Sequence, residues 1–86
     1  MGGEIAVEVQ LFARMREVCG NRSRLRMHLP TQSTPETCFE WLCRDHAALR
    51  AQRESLAVAV NEEYAPWDRP LRDGDEVSFI PPVSGG

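Results

Sequence analysis

The first apolar stretch of the chain, EIAVEVQLF over residues 4–12, alternates between two sets of side chains: an apolar set, and a mostly polar set of Glu4, Ala6, Glu8 and Gln10. A period of two places every second side chain on the same face of a strand. The apolar face consists of Ile5, Val7, Val9 and Leu11. The same alternation returns in RLRMHL over residues 24–29, and Pro30 ends it. The sequence therefore predicts two half-buried strands, and the fold must supply a second layer that covers them.

Two other stretches have helical spacing. In ARMREVCG over residues 13–20, Met15 and Cys19 share one helical face, and Gly20 is a typical left-handed stop. In PETCFEWLCRDHAALRAQ over residues 35–52, Pro35 suits the first helical position and Thr34 suits the cap before it. Its apolar residues recur at spacings of three, four and seven, namely Cys38, Leu42, either Trp41 or Cys43, and Leu49. We expect a short first helix and one long second helix.

The last part of the chain predicts two more strands. SLAVAVN is a short β-branched run that is typical of a strand covered on both faces. Residues 64–71 contain two prolines, which favours a loop with at most a fragment of an edge strand. After the turn signal DGD, EVSFI predicts a final strand with Val77 and Phe79 on one face. The order predicts an α+β fold, with one helix across a small mixed sheet and the first and last strands side by side in its centre.

Composition limits the class of protein. Eighty-six residues with 42% hydrophobic and 27% charged content fit one globular domain. No apolar run approaches the roughly 20 residues that cross a bilayer, so we expect no membrane partner. Three cysteines are an odd number, and no export signal precedes them, which favours free thiols in a reducing cytoplasm.

Charge is unevenly distributed along the chain. Residues 1–60 hold eight arginines and seven acids, a balance of +1, whereas residues 61–86 hold two arginines and six acids, a balance of −4. There is no lysine. An acidic C-terminal third argues against nucleic acid as a partner and favours a basic protein surface.

The chain ends in PPVSGG. Pro81 and Pro82 cannot continue a sheet and favour an extended path away from it. Gly85 and Gly86 have no Cβ, so such a tail could enter a channel too narrow for side chains. We therefore expect one compact domain over residues 1–80 and an extended tail over 81–86, with the Gly86 carboxylate as the reactive group. The competing interpretation is an ordinary disordered terminus of small residues.

Two blocks of sequence resemble a known family. VNEEYAPWDRPLRDGDEVSFIPPVSGG resembles the C-terminal third of MoaD-type sulfur carriers, the small subunits of molybdopterin synthase, and VQLFARMREVCG is similar to their opening strand and short helix. Residues 22–55 match only in the order of elements. The resemblance implies a ubiquitin-like β-grasp fold.

The resemblance also implies a function. An E1-like enzyme would adenylate Gly86 with ATP, and a persulfide would convert it to a thiocarboxylate. The tail, Pro81, Pro82, Val83, Ser84 and Gly85, would then enter the large synthase subunit. Sulfur would pass there to a cyclic pyranopterin monophosphate to form the molybdopterin dithiolene. The chain would be a non-catalytic sulfur-donating subunit of a heterotetramer, with no cofactor of its own. Phe12, Tyr64 and Ile80 match positions of an apolar partner surface.

Two other functions remain open. The tail could form an amide with lysines of target proteins, as in a ubiquitin-like modifier. It could also carry sulfur for the synthesis of thiamine or cysteine. PPV-x-GG and DGDEV favour the molybdopterin function.

Three further groups of residues could suggest sites. Cys38, Cys43 and His46 partly match a ferredoxin ligand spacing, but their helical pattern favours core filling over iron or zinc, so we expect no metal. The basic strip, defined as Arg14, Arg16, Arg22, Arg24 and Arg26, is either a solvated face or a docking point for the activating enzyme, with Arg16 the candidate. The acids around DGD lack the spacing of a calcium loop.

Overall fold

The structure, a computed structural model, describes residues 3–82. The elements in chain order are β1 (Glu4–Leu11), α1 (Ala13–Val18), β2 (Arg24–Pro30), α2 (Pro35–Asp45), a 3₁₀ helix (Ala47–Ser55), β3 (Ala57–Val60), β4 (Glu63–Tyr64) and β5 (Glu76–Ile80). All four predicted strands are confirmed, and the edge-strand fragment is the two-residue β4.

The strands form one mixed sheet in the order β2-β1-β5-β3-β4. β1 and β5 are parallel neighbours, whereas the other pairs are antiparallel. Hydrogen bonds therefore hold β5 on both sides, to β1 and to β3. The expectation that the first and last strands lie side by side inside the sheet is confirmed. As a result, the tail begins at a strand with two neighbours and not at a sheet edge.

The sheet has an inner face, which packs on α2, and an outer face. Val9 and Val77 are register partners on the inner face and are both fully buried. Phe79 lies on the same face, and its ring centroid is 5.8 Å from that of Phe39 in α2. Alternation along β1 places Glu8 and Gln10 on the outer face. The inner face is therefore the core, as the period of two predicted.

The N-terminus of α2 forms as the sequence predicted. The Thr34 hydroxyl accepts a hydrogen bond from the Thr37 N–H at 3.2 Å, and the Thr37 hydroxyl accepts one from the Thr34 N–H at 3.2 Å. Pro35 follows at the first helical position. This reciprocal cap satisfies N–H groups that the helix itself leaves free.

The prediction of one long helix over 35–52 is wrong at its C-terminal half. The α-helix ends at Asp45, His46 has φ −137° and ψ 76°, and the chain continues as a 3₁₀ helix. Leu49 is fully buried in that segment. The residues after His46 have good helical propensity, so tertiary packing of Leu49 overrides a local preference. The same prediction omitted Phe39, which is 2% exposed and belongs to the core.

A polar network joins β1, the turn after β3 and the start of β5. The Asp73 carboxylate accepts a hydrogen bond from the Ala6 N–H at 2.7 Å, and Asp75 accepts one from the Asn61 amide at 2.9 Å. Asn61 in turn accepts one from the Glu76 N–H at 3.0 Å. Gly74 lies between the two acids with φ +90°, a conformation that favours glycine. The acids of DGD thus serve turn chemistry.

Candidate docking surface at the start of the tail

The tail starts where β5 ends. Ile80 is the last residue of β5 and is half-buried; Pro81 is half-buried and Pro82 is exposed. Both prolines lack the N–H that a sheet neighbour would need, so strand pairing stops here. Val83, Ser84, Gly85 and Gly86, which the sequence predicts as the threading and reactive residues, lie outside the described residues.

Phe12 and Ile80 leave the sheet side by side. Leu11 pairs with Phe79 across the parallel β1–β5 ladder, so the next residues along each strand are neighbours. Phe12 has an extended backbone, and its side chain therefore points to the outer face, opposite to that of Leu11. It is 42% exposed, unusually high for a large apolar side chain.

Tyr64 of β4 lies on the same outer face, two strands away from Ile80 of β5. It pairs with Ala59, which pairs in turn with Ser78 of β5. Its side chain is 78% exposed. Between Tyr64 and Ile80 the sheet carries only small side chains, because Ala57 is the register partner of Ile80. Ala59 itself is buried, so we call Phe12, Ile80, Ala57 and Tyr64 the outer-face apolar surface.

Arg16 follows Phe12 in α1. Its N–H donates to the Phe12 carbonyl at 3.4 Å, which places the two residues one helical turn apart, and Arg16 is exposed. Within residues 3–82, Arg14, Arg16 and Arg22 form no ion pair with a carboxylate. They remain available to an acidic partner.

The rest of the basic strip is neutralised within the sheet. The Arg24 guanidinium lies 3.3 Å from the Glu76 carboxylate, and that of Arg26 lies 3.7 Å from Glu8. Both pairs are exposed to solvent and contribute little stability. The five arginines therefore do not act as one surface, and the candidate docking charge is confined to α1 and the turn after it.

The cysteines of α2 point into the core. Cys38 is fully buried and Cys43 is 4% exposed. The Cys38 thiol donates a weak hydrogen bond to the Met27 sulfur at 3.5 Å. Burial raises the pKa of the Cys38 thiol to about 12, so it stays protonated and is a poor metal ligand. Within the described residues no group of three His, Cys, Asp or Glu side chains is arranged to hold a metal ion, and His46 ends the helix.

None of the helices formed by residues 3–82 is long and apolar enough to cross a bilayer.

Comparison with known proteins identifies the family. The sequence profile described as the ThiS family matches residues 9–86. This chain belongs to that family. It is 35% identical over 82 residues to the molybdopterin synthase sulfur carrier subunit of Arabidopsis thaliana, covering 95% of this chain and 84% of the relative. It is also 35% identical over 91 residues to the subunit of that name from Escherichia coli, covering 93% and 99% of the two chains.

Solved structures agree with the fold. Small archaeal modifier protein 1 of Haloferax volcanii is 27% identical with a TM-score of 0.80, covering 92% of this chain and 99% of that one. A ubiquitin of Caldiarchaeum subterraneum, only 14% identical, superposes with a TM-score of 0.62 over 98% of this chain and 100% of its own. The predicted ubiquitin-like β-grasp fold is therefore confirmed for this ThiS-family chain.

The sequence gives Phe12, Tyr64 and Ile80 as partner residues through resemblance, and it gives Arg16 through the basic strip. The structure places the first three on the outer face, and Arg16 follows Phe12 by one helical turn. Their contact with a partner stays a prediction. Two small residues between them, Ala57 and the buried Ala59, had no signal in the sequence. Strand pairing alone brings these alanines beside Ile80 and Tyr64, so no local pattern could have indicated them.

Proposed function

We propose that this chain is the sulfur carrier subunit of a molybdopterin synthase. The observation that carries the proposal is the family match through the terminal diglycine, joined to curated relatives of that name that are 35% identical over nearly the whole chain. The geometry supports it. β5 passes directly into Pro81 and Pro82 beside an exposed apolar surface, so a partner that binds the surface also meets the tail.

The chemistry takes place at the Gly86 carboxylate. This carboxylate attacks the α-phosphorus of ATP in an E1-like enzyme, and pyrophosphate leaves. A persulfide sulfur then displaces AMP from the acyl carbon, and a second thiol cleaves the resulting acyl disulfide to release the thiocarboxylate. ATP is thus a substrate of the activating enzyme, and the carrier holds no cofactor of its own.

Transfer takes place in the large synthase subunit. The outer-face apolar surface binds that subunit, and the tail enters its channel, where Gly85 allows passage because it has no side chain. The thiocarboxylate sulfur attacks a cyclic pyranopterin monophosphate held by the large subunit, which also supplies the acid and base groups. Exclusion of water in the channel strengthens the electrostatic contacts that guide this attack. We place the resulting heterotetramer in the cytoplasm.

Mass spectrometry tests the proposal. After incubation with the activating enzyme, ATP and a sulfur donor, we expect the intact mass to rise by the exchange of one oxygen for one sulfur. Deletion of Gly86 and the substitution Gly85→Val should each abolish transfer without lowering the melting temperature. Gly3→Val is the matched control, because a Cβ at Gly3 meets only the Thr31 methyl at an ordinary 3.5 Å. Normal transfer by Gly85→Val would contradict tail threading.

The second candidate function is protein modification, which the similarity to small archaeal modifier protein 1 favours. A modifier would form a ladder of conjugates in lysate with the activating enzyme and ATP. The chain itself has no lysine, so the ladder could not consist of chains linked through lysine side chains of its own copies. A sulfur carrier for thiamine or cysteine synthesis would load sulfur equally well. It would then fail to convert the pyranopterin with the large subunit.

A further inference from the structure

An aromatic stack lies under the C-terminal end of β5, on the inner face. The Phe79 ring, fully buried, has its centroid 5.6 Å from that of Trp67, and the two planes are inclined by only 29°. Phe39 of α2 meets both rings edge-on, with centroids 5.6 Å from Trp67 and 5.8 Å from Phe79. Trp67 therefore covers the last inward-facing side chain before the tail.

Two charged residues hold Trp67 in this stack. The Arg53 guanidinium carbon lies 3.4 Å from the centre of the Trp67 ring, which is a direct cation–π contact. The Arg53 Nε donates to both Glu36 carboxylate oxygens, at 3.1 and 3.3 Å. The Glu36 N–H also donates to the Trp67 carbonyl at 3.0 Å. Glu36 thus fixes the main chain of Trp67 directly and its ring through Arg53. We call Glu36, Arg53 and Trp67 the Trp67 clamp.

We propose that Arg53, held by Glu36, is a positioning residue that sets the direction in which the tail leaves the domain. β1 and β3 hold the end of β5 within the plane of the sheet, through Leu11 and Val58 beside Phe79. Contacts toward the helix layer come from the two rings that pack on Phe79, namely Phe39 and Trp67. The Trp67 clamp holds the second of these rings in place.

The direction of the chain at Ile80 affects the tail because two prolines follow it. Pro81 and Pro82 have fixed φ angles and favour a stiff, extended path. A small change of angle at Ile80 therefore moves the far end of the tail by much more than it moves Ile80. A carrier whose Trp67 is released should still bind its partner, because the outer-face apolar surface is on the opposite side of the sheet. The tail would then enter the channel less often.

The structural part of the test does not depend on the proposed function. The chain has two tryptophans, so Trp41→Phe leaves Trp67 as the sole tryptophan, whose emission can be excited without that of Tyr64. In that background, Arg53→Ala should shift Trp67 emission to the red and increase its quenching by iodide. Amide exchange at Phe79 and Ile80 should become at least about threefold faster, while exchange at Val9 in the centre of β1 stays unchanged.

The matched control is Arg50→Ala, because Arg50 is an exposed arginine of the same 3₁₀ helix. It should change neither the fluorescence nor the exchange. Equal exchange at Ile80 in the Arg53 and Arg50 variants would overturn the clamp. Faster exchange at Val9 as well would mean that Arg53 acts on global stability and not on position, and would also overturn it.

The functional part rests on the proposed sulfur transfer. With thiocarboxylate-loaded carrier and purified large subunit, Arg53→Ala should leave the dissociation constant unchanged and slow single-turnover transfer by about fivefold. Arg53→Lys keeps a cation over Trp67 and should restore part of the rate. A normal rate in Arg53→Ala despite faster exchange at Ile80 would overturn the positioning role. Absence of transfer from the unsubstituted carrier would instead contradict the proposed function, and the exchange result would still decide whether the clamp exists.

Discussion

Leu11 of β1 and Phe79 of β5 are register partners at the C-terminal ends of the two central strands, and both are buried on the inner face of the sheet. The residues that follow them, Phe12 and Ile80, therefore emerge together and point outward. Leu11 and Phe79 belong to the core, whereas Phe12 and Ile80 belong to the candidate docking surface. Substitutions on the two sides should consequently have different effects, on stability for the inner pair and on binding for the outer pair.

On the outer side, we expect Phe12→Asp to weaken binding to the large subunit by at least about tenfold, because a carboxylate would be buried against an apolar partner without a hydrogen bond. The melting temperature should hardly change, since Phe12 is 42% exposed in the free chain. Isothermal titration calorimetry measures the affinity. Ala51→Asp adds the same charge to an exposed site on the 3₁₀ helix and serves as the control. Equal affinity for both variants would exclude Phe12 from the interface.

On the inner side, Phe79→Ala should lower the free energy of unfolding by about 3–5 kcal/mol, because it empties a fully buried site between Phe39 and Trp67. Urea denaturation followed by circular dichroism measures the loss. Tyr64→Ala removes an aromatic ring that is 78% exposed and should cost far less. Similar losses for the two variants would contradict the assignment of faces.

The turn between β3 and β4 should accept a stabilising glycine. Asn61 and Glu62 have φ angles of 52° and 70°, and they connect the register partners Val60 and Glu63. Such a two-residue turn favours Asn-Gly, because residues with a Cβ are strained at positive φ. We expect Glu62→Gly to raise the free energy of unfolding by about 1 kcal/mol and the melting temperature by roughly 4–8 °C.

The control for this turn is Glu63→Gly, one position further along the chain. Glu63 belongs to β4, so glycine there should destabilise the protein by about 0.5–1 kcal/mol. A loss of stability in both variants would show that the positive φ of Glu62 carries no strain.

The Cys38 thiol should make stability depend on alkaline pH. Burial raises its pKa from the ordinary 9.0 to about 12, so the unfolded chain loses this proton at lower pH than the folded one. The stabilisation is complete below pH 9 and is lost as pH rises toward 12. Between pH 8 and 10.5 the free energy of unfolding should fall by about 2 kcal/mol from this group.

Urea denaturation at several pH values measures this slope. Cys38→Ala should be less stable at pH 8 but should lose less stability on going to pH 10.5. Because Cys38 is fully buried, it should also resist alkylation by iodoacetamide in the native state. An unchanged slope in Cys38→Ala would contradict the assigned burial of the thiol.

The sequence by itself determined the strands, their buried faces, the cap at Thr34 and the proline stop after Ile80. Each of these follows from local physics: a period of two, a side chain that caps nearby N–H groups, and a residue without an N–H. The resemblance of the two ends of the chain to sulfur carriers added the candidate site. Those residues lie in or next to strands, where the backbone fixes side-chain direction.

Tertiary structure alone decided the rest. Apolar spacing continues past Asp45, yet α2 ends there, and Leu49 is buried from a 3₁₀ helix instead. Nothing local gives Trp67 a role, since it lies in a proline-bounded loop and meets Phe79 and Arg53 only after the chain has folded. The position of Ala57 beside Ile80 also depends on which strands are neighbours. Short-range patterns report the conformational preference of a segment, whereas these features depend on contacts between segments distant in sequence, whose energies no single window contains.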